Sequence, residues 1–355
     1  MASRMTIRER IVAALHRQPV DQVPFTIYPG MIPEGEEARG LRALGLGTSW
    51  RVPMVTSQMP NVTMDYVEYE ENGARYARRT AHTPVGDLSM VLRLGGAYGS
   101  SWSVEHYLKR PEDYAAAEFM VRDTVYAPNY EAYHQAVAEL GEGGYVSGNF
   151  GYSPLMEMRV VWMGMARYAE DRFDRPDLFW PFYEALRAKQ REAYQLLADS
   201  PAEFVIYCGN CSPEVLGRDF EQYVVPCYNE LGVMLHAKGK MLGCHLDANN
   251  AFWAKVVADS QLDVIEALTP APDTDMSMTQ ICAAWPGRRY WLNYPSSLHL
   301  ASAARIKEAT RELLADAAPG LGLIVGITEN IPEHAWATSL KAIGEVLQEE
   351  GTGKA

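Results

Sequence analysis

The chain reads as an α/β protein, a single (β/α)8 barrel of the TIM type over residues 1–355, with an antiparallel β insertion in its N-terminal half at about 62–94. Two features carry that reading. From residue 143 onward, short apolar runs alternate with small polar loops and amphipathic helical stretches, the beat of a parallel sheet flanked by helices. Neither a GxGxxG after the first strand nor a GxxxxGKS/T loop occurs, so nucleotide-binding open sheets lose their main support. At 355 residues, 48% apolar and 22% charged, the composition is that of an ordinary globular protein. Barrels routinely run past ~250 residues as one unit.

Apolar residues at Ile7, Ile11, Val12, Ala14 and Leu15 form one stripe of a helix, and Thr6 followed by Glu9 fits a capping box. VPFTIYPG (Val23 to Gly30) is a buried strand stopped by Pro-Gly. Residues 62–94 carry alternating β-rich runs around Asn72-Gly73, the strongest short hairpin signal, and this is the insertion. GGYVSGNFGYSP ends a strand in small polar residues, and helices follow at about 155–171 and 177–198. EFVIYCGN, KMLGCHLD, LDVIEALTP, YWLNYP and GLIVGITEN are the later strands, separated by helical stretches and closed by a helix at about 333–349. With VPFTIY and one strand near residue 90, the barrel strands would number eight.

A net charge of -13 repels nucleic acid and anionic membrane surfaces, although local arginines can still hold a small anion. The five cysteines are odd in number in a long chain, which argues against a disulfide framework. MASRMTIRERIVAALHRQPVDQVP lacks the apolar core of a signal peptide, and no run approaches ~18 apolar residues. The expectation is a cytoplasmic enzyme acting on a small molecule, with a homodimer left open.

In a (β/α)8 barrel the active site is built at the C-terminal ends of the strands. Those ends carry Tyr28; Asn149 with Tyr152; Cys208 with Asn210; His245 with Asp247; Glu266; Asn293 with Tyr294; and Glu329 with Asn330. His245, Asp247, Glu266 and Glu329 are the candidate catalytic residues. Tyr28, Asn149, Tyr152, Asn210 and Asn293 are the candidate substrate contacts. His245 and Asp247 stand two apart at a strand end and can share a face, which suits a metal ion or a proton-transfer pair. Glu266 ends an apolar strand, where desolvation would raise its pKa and suit a general acid. Cys208-Gly-Asn-Cys211 has the spacing of half a zinc site or a redox pair, with no second ligand pair nearby. The methionines Met156, Met158, Met163 and Met165 read as core or a flexible pocket wall, and Trp162 and Trp253 as core or an aromatic wall.

RERIVAALHRQPVDQVP, GKMLGCHLDANN, LDVIEALTPAP and GITENIPEHAWATSLKAI, in that order, resemble segments of the uroporphyrinogen-decarboxylase-like superfamily over roughly residues 6–348. The resemblance implies a (β/α)8 barrel and one of two chemistries: decarboxylation of tetrapyrrole acetate arms, or methyl transfer to or from a corrinoid. The decarboxylases carry an arginine-rich loop after the first strand; here that place reads TIYPGMIPEGEEARG. The zinc methyltransferases carry His-x-Cys at GCHLD and a further Cys near the last strand; here Asp247 and Thr328 or Glu329 stand instead. Zinc on His245, Asp247 and Glu329 is therefore an expectation from the resemblance, without the thiolates that serve thiol methylation. TPVG (Thr83 to Gly86) and GITEN look more like the O-demethylase branch. That branch implies transfer of a methyl group from a methoxylated, aromatic donor or another methylated small molecule to a corrinoid (cobalamin) on a partner protein. A decarboxylase acting on a different carboxylated substrate is the alternative.

Overall fold

A computed structural model describes residues 4–96, 100–207 and 209–351. Its internal contacts divide the chain into two compact units. One comprises residues up to Pro53, Tyr130–Phe150 and the chain from Pro201 onward; the other comprises Met54–Asn129 and Gly151–Ser200.

The first unit contains the barrel. Its strands are β1 (Phe25–Ile27) and β2 (Leu46–Pro53), then, beyond the β strands of the second unit, β9 (Gly144–Phe150), β10 (Phe204–Tyr207), β11 (Met241–His245), β12 (Val264–Leu268), β13 (Arg289–Asn293) and β14 (Leu323–Ile327). All eight pair in parallel in the closed order β1-β14-β13-β12-β11-β10-β9-β2. A closed parallel ring with intervening helices is a (β/α)8 barrel, as the alternation after residue 143 predicts.

The eighth strand is not the one expected near residue 90. It is β2, which pairs with β1 and with β9. LGTSWRVP escapes recognition because its inward positions are partly polar and small rather than a run of Val and Ile. The segment near 90 belongs to the second unit. There β4 (Thr63–Glu71), β5 (Ala74–Thr83), β6 (Gly86–Arg93) and β7 (Trp102–Glu105) form an antiparallel sheet, and β3 (Val55–Gln58) pairs with β8 (Val125–Pro128). Asn72 (φ 52°) and Gly73 (φ 73°) make the β4–β5 turn, as read from the sequence. The insertion anticipated at 62–94 is part of a larger unit that also holds the helices Asp113–Asp123 and Pro176–Asp199.

The barrel is closed below by the helix Ile7–Leu15. Its capping box forms as expected: Glu9 N–H donates to Thr6 Oγ1 and Thr6 N–H to the Glu9 carboxylate. Ile11, Ala14 and Leu15 pack with Tyr145, Phe204, Met241, Val264, Trp291 and Ile324 in one buried cluster. Trp291 stacks on Phe204 at 6.2 Å between centroids and donates its indole N–H to Thr26 Oγ1 at 2.9 Å, so its one polar atom is satisfied. Gly243 leaves room for Phe204, because a Cβ there would lie 2.5 Å from that ring. Side chains two apart on a strand share a face. The inward positions of β11 therefore rise from Met241 through Gly243 to His245, and those of β12 from Val264, beside Gly243, to Glu266, beside His245.

A charged cluster at the strand ends

Register sets His245 of β11 directly beside Glu266 of β12. His245 Nδ1 lies 2.6 Å from Glu266 Oε2, and its Nε2 lies 3.1 Å from Asp247 Oδ1. Tyr28, one residue past β1, donates its hydroxyl to Glu266 Oε1. Arg51 on β2 completes the group: its Nη2 reaches Glu266 Oε1 and the Tyr28 hydroxyl, stands 3.1 Å from His245 Nδ1, and its guanidinium lies 4.7 Å from the centre of the Tyr28 ring. Side chains from the end of β1, from β2 and from the end of β11 thus converge on the single carboxylate of β12.

Glu266 is 1% exposed. Burial alone would push its pKa up, but the Arg51 guanidinium, the His245 imidazolium and the Tyr28 hydroxyl outweigh that and hold it down at about 2. Burial likewise disfavours a charged imidazole at His245, and the carboxylates of Glu266 and Asp247 overcome it, holding its pKa up at about 10. The raised pKa expected at Glu266 is therefore corrected: its neighbours lower it, and they raise that of His245. Sequence reasoning priced the burial and missed the cations that offset it.

The backbone is bent to reach this arrangement. Pairing of β12 with β13 slips between Glu266 and Leu268, and Ala267, between them, has φ 59°. A bulge with one residue in the left-handed region re-aims the side chain next to it. Asn210 (φ 42°) and Ala248 (φ 58°) lie in the neighbouring strand-end loops, where Cys211 and Leu246 form a parallel bridge.

The remaining predicted residues divide. Asn149, on β9, carries a buried Oδ1 with no hydrogen-bond partner among the described residues. Asn293 is fully engaged in fastening loops: its Nδ2 donates to Thr269 Oγ1 at 3.1 Å and its Oδ1 accepts from Thr328 N–H at 3.0 Å. Glu329 accepts from Ser296 Oγ at 3.2 Å and does not meet Glu266, whose partners are Tyr28, Arg51 and His245. Tyr152 falls in the second unit, where its carbonyl accepts from Gln190. Cys208 lies outside the described residues; Cys211 is buried, its Sγ 3.6 Å from the Tyr228 hydroxyl. Trp253 stacks on Phe220 at 3.9 Å and donates to the Gly217 carbonyl, which makes it core. Met156, Met158 and Met163 are buried, whereas Met165 is exposed.

The arrangement does not fit the zinc ion that the resemblance implies on His245, Asp247 and Glu329. His245 is turned to Glu266 and Asp247, whereas Glu329, the third expected ligand, is turned to Ser296. Among the described residues, no group of three or more His, Cys, Asp and Glu side chains is placed to hold a metal.

Arg51 is the residue that the sequence reading missed. The loop after the first strand does lack an early arginine, but the cation enters from the next strand. The available signal was an arginine one residue after Trp50, at the end of an alternating run that stops at Pro53.

Fold and cluster together define a (β/α)8 barrel with a buried, internally neutralised acid–base group at its strand ends. No protein-family profile matches the chain, and no curated protein matches it in sequence. Among solved structures, a methyltransferase from Methanosarcina mazei is similar at TM-score 0.58 and 12% identity, covering 97% of this chain and 99% of its own. A putative vitamin-B12-independent methionine synthase from Listeria monocytogenes (TM-score 0.37, 11% identity, 69% and 71% covered) and a GH18 chitinase from Flavobacterium johnsoniae (0.35, 13%, 64% and 82%) are more distant. At these identities the likeness is one of fold. No helix among the described residues is long and apolar enough to cross a membrane.

Proposed function

We propose that the protein is a methyltransferase that removes a methyl group from a methoxylated, aromatic donor and passes it to a corrinoid carried by a partner protein. The observation that carries this reading is His245, an imidazolium at the strand ends pinned between buried Glu266 and the part-exposed Asp247 (37% exposed). A donor's ether oxygen that takes the place of Asp247 meets the Nε2–H. As the C–O bond breaks, its electron pair stays on oxygen, and the proton passes from Nε2 to the forming phenolate. The Glu266 carboxylate behind the ring keeps it protonated until the developing phenolate can take the proton. Glu266 holds the ring in place and stabilises its charge before the reaction, while Arg51 and Tyr28 hold Glu266. Asn149 Oδ1 offers an acceptor to a hydroxyl of the donor. The cluster contains no Ser or Cys nucleophile, which suits an external acceptor; the reduced corrinoid supplies the electron pair that takes the methyl group.

The test is incubation of the purified protein with a reduced corrinoid protein and a panel of methoxylated aromatics, following the methylcobalamin spectrum. His245→Ala and Glu266→Gln should each reduce the rate by ~100-fold or more, the lower range of acid–base catalysis. Arg51 favours one other reading, a decarboxylase in which the guanidinium grips a substrate carboxylate. Release of CO2 from a carboxylated substrate, with no methylcobalamin formed from any donor, would replace the first reading by the second.

A further inference from the structure

Residues of the second unit line a half-open cavity of about 400 Å3 that no part of the barrel chemistry uses. Glu157 lines it, with its carboxylate held by two neutral donors: Trp162 Nε1 at 3.0 Å from Oε1 and Gln190 Nε2 at 2.7 Å from Oε2. Burial pushes the Glu157 pKa up, and neither hydrogen bond brings a compensating positive charge. Tyr107 lies against Trp162, with centroids 5.5 Å apart, and both rings line the cavity with Tyr126. Of the two basic residues in the wall, one has a carboxylate partner among the described residues. Lys189 is paired with Glu192 at 2.9 Å, and the guanidinium of Arg79 lies 5.8 Å from the centre of the Tyr66 ring. The wall is also built irregularly: Met158–Met163 is a π-helical turn that ends at Gly164 (φ 68°), where a Cβ would lie 2.8 Å from the His106 ring. Such turns recur where a helix is adapted to a site.

The geometry points to a second ligand site in this cavity, for a small methylated ammonium cation, with Glu157 as its counter-ion and Trp162, Tyr107 and Tyr126 as its aromatic walls. Quaternary ammonium groups are recognised by aromatic faces within about 6 Å and by a desolvated carboxylate. A cavity of this size lies in the range of small-molecule sites. An anionic ligand set against the Trp162 ring would face the buried Glu157 carboxylate, whose two donors are both neutral. The proposal is independent of the barrel's chemistry.

Calorimetric titration of the full chain with tetramethylammonium chloride tests it, beside the neutral isostere 3,3-dimethylbutan-1-ol and sodium acetate. Saturable binding of tetramethylammonium at one equivalent is expected, at least tenfold tighter than the alcohol. Glu157→Gln should weaken it tenfold or more with the near-ultraviolet circular dichroism unchanged, and Trp162→Phe should weaken it several-fold. Glu266→Gln should leave it unchanged, which separates this site from the barrel's. Equal binding of the alcohol, tighter binding of acetate, absence of saturable binding, or full binding by a folded Glu157→Gln protein each overturns the proposal.

Discussion

At Glu266 one buried carboxylate is held by a tyrosine hydroxyl, a guanidinium and an imidazolium, and the consequences of removing its charge follow from that count. Glu266→Gln leaves two cations facing a neutral amide. Removing one partner from a buried ion pair costs about 3–5 kcal/mol, and a urea titration should register a loss of that order. The same substitution should bring the His245 pKa down from about 10, because the carboxylate that most favours its charged form is gone; an imidazole NMR titration reads this directly. Loss of stability with an unmoved His245 titration would show that Asp247 alone holds the proton. His245, Asp247, Glu266, Tyr28 and Asn149 could be picked out from the sequence because each ends a readable strand. The ionisation of Glu266 could not, since it depends on Arg51, 215 residues away in the chain.

The bulge in β12 is the element on which that cluster depends. Ala267 sits at φ 59°, where a Cβ costs roughly 1 kcal/mol that glycine does not incur. Ala267→Gly should raise the unfolding free energy by up to about 1 kcal/mol, and Ala267→Val should lower it, with thermal melts as the measure. A melt lowered by glycine would mean that the Ala267 methyl, 2% exposed, contributes more by packing than its strain costs. The helix Ile7–Leu15 allows a second measurement. Leu15 is fully buried beneath the barrel, so Leu15→Ala should cost about 2–5 kcal/mol. That helix and its cap are plain in the sequence because capping and periodicity are local. β2 was not, because a strand with polar inward positions carries no apolar run, and only its neighbours β1 and β9 define it.

For the whole molecule, the two shifted groups set a pH window. The Glu266 pKa is depressed, so its contribution is present above the unfolded value of about 4.3 and is lost as pH falls through about 2. The His245 pKa is raised, so its contribution is full below about 6.5 and is lost as pH rises through about 10. Stability from the pair is therefore greatest near pH 4.5–6.5 and declines through the alkaline range. Denaturant titrations at pH 6 and pH 10 should show a smaller loss in His245→Gln than in the unsubstituted protein. The barrel as a whole was predictable from the strand–loop–helix beat after residue 143. The second unit was visible only as its hairpin, since the segments that join it, 54–129 and 151–200, are separated in sequence and nothing local marks them as partners.

The strand β4 bears on how the protein behaves in concentrated solution. Among the described residues it pairs only with β5 and so stands at an edge of its sheet, whereas the barrel's ring has no such edge. Open edges invite a second copy to add a strand. Along this one stand Asp65, Glu68, Glu70 and Glu71, so two copies aligned edge to edge would bring acids against acids. The safeguard is electrostatic. Acidification that protonates these exposed carboxylates, or salt that screens them, removes it while leaving the strand itself in place.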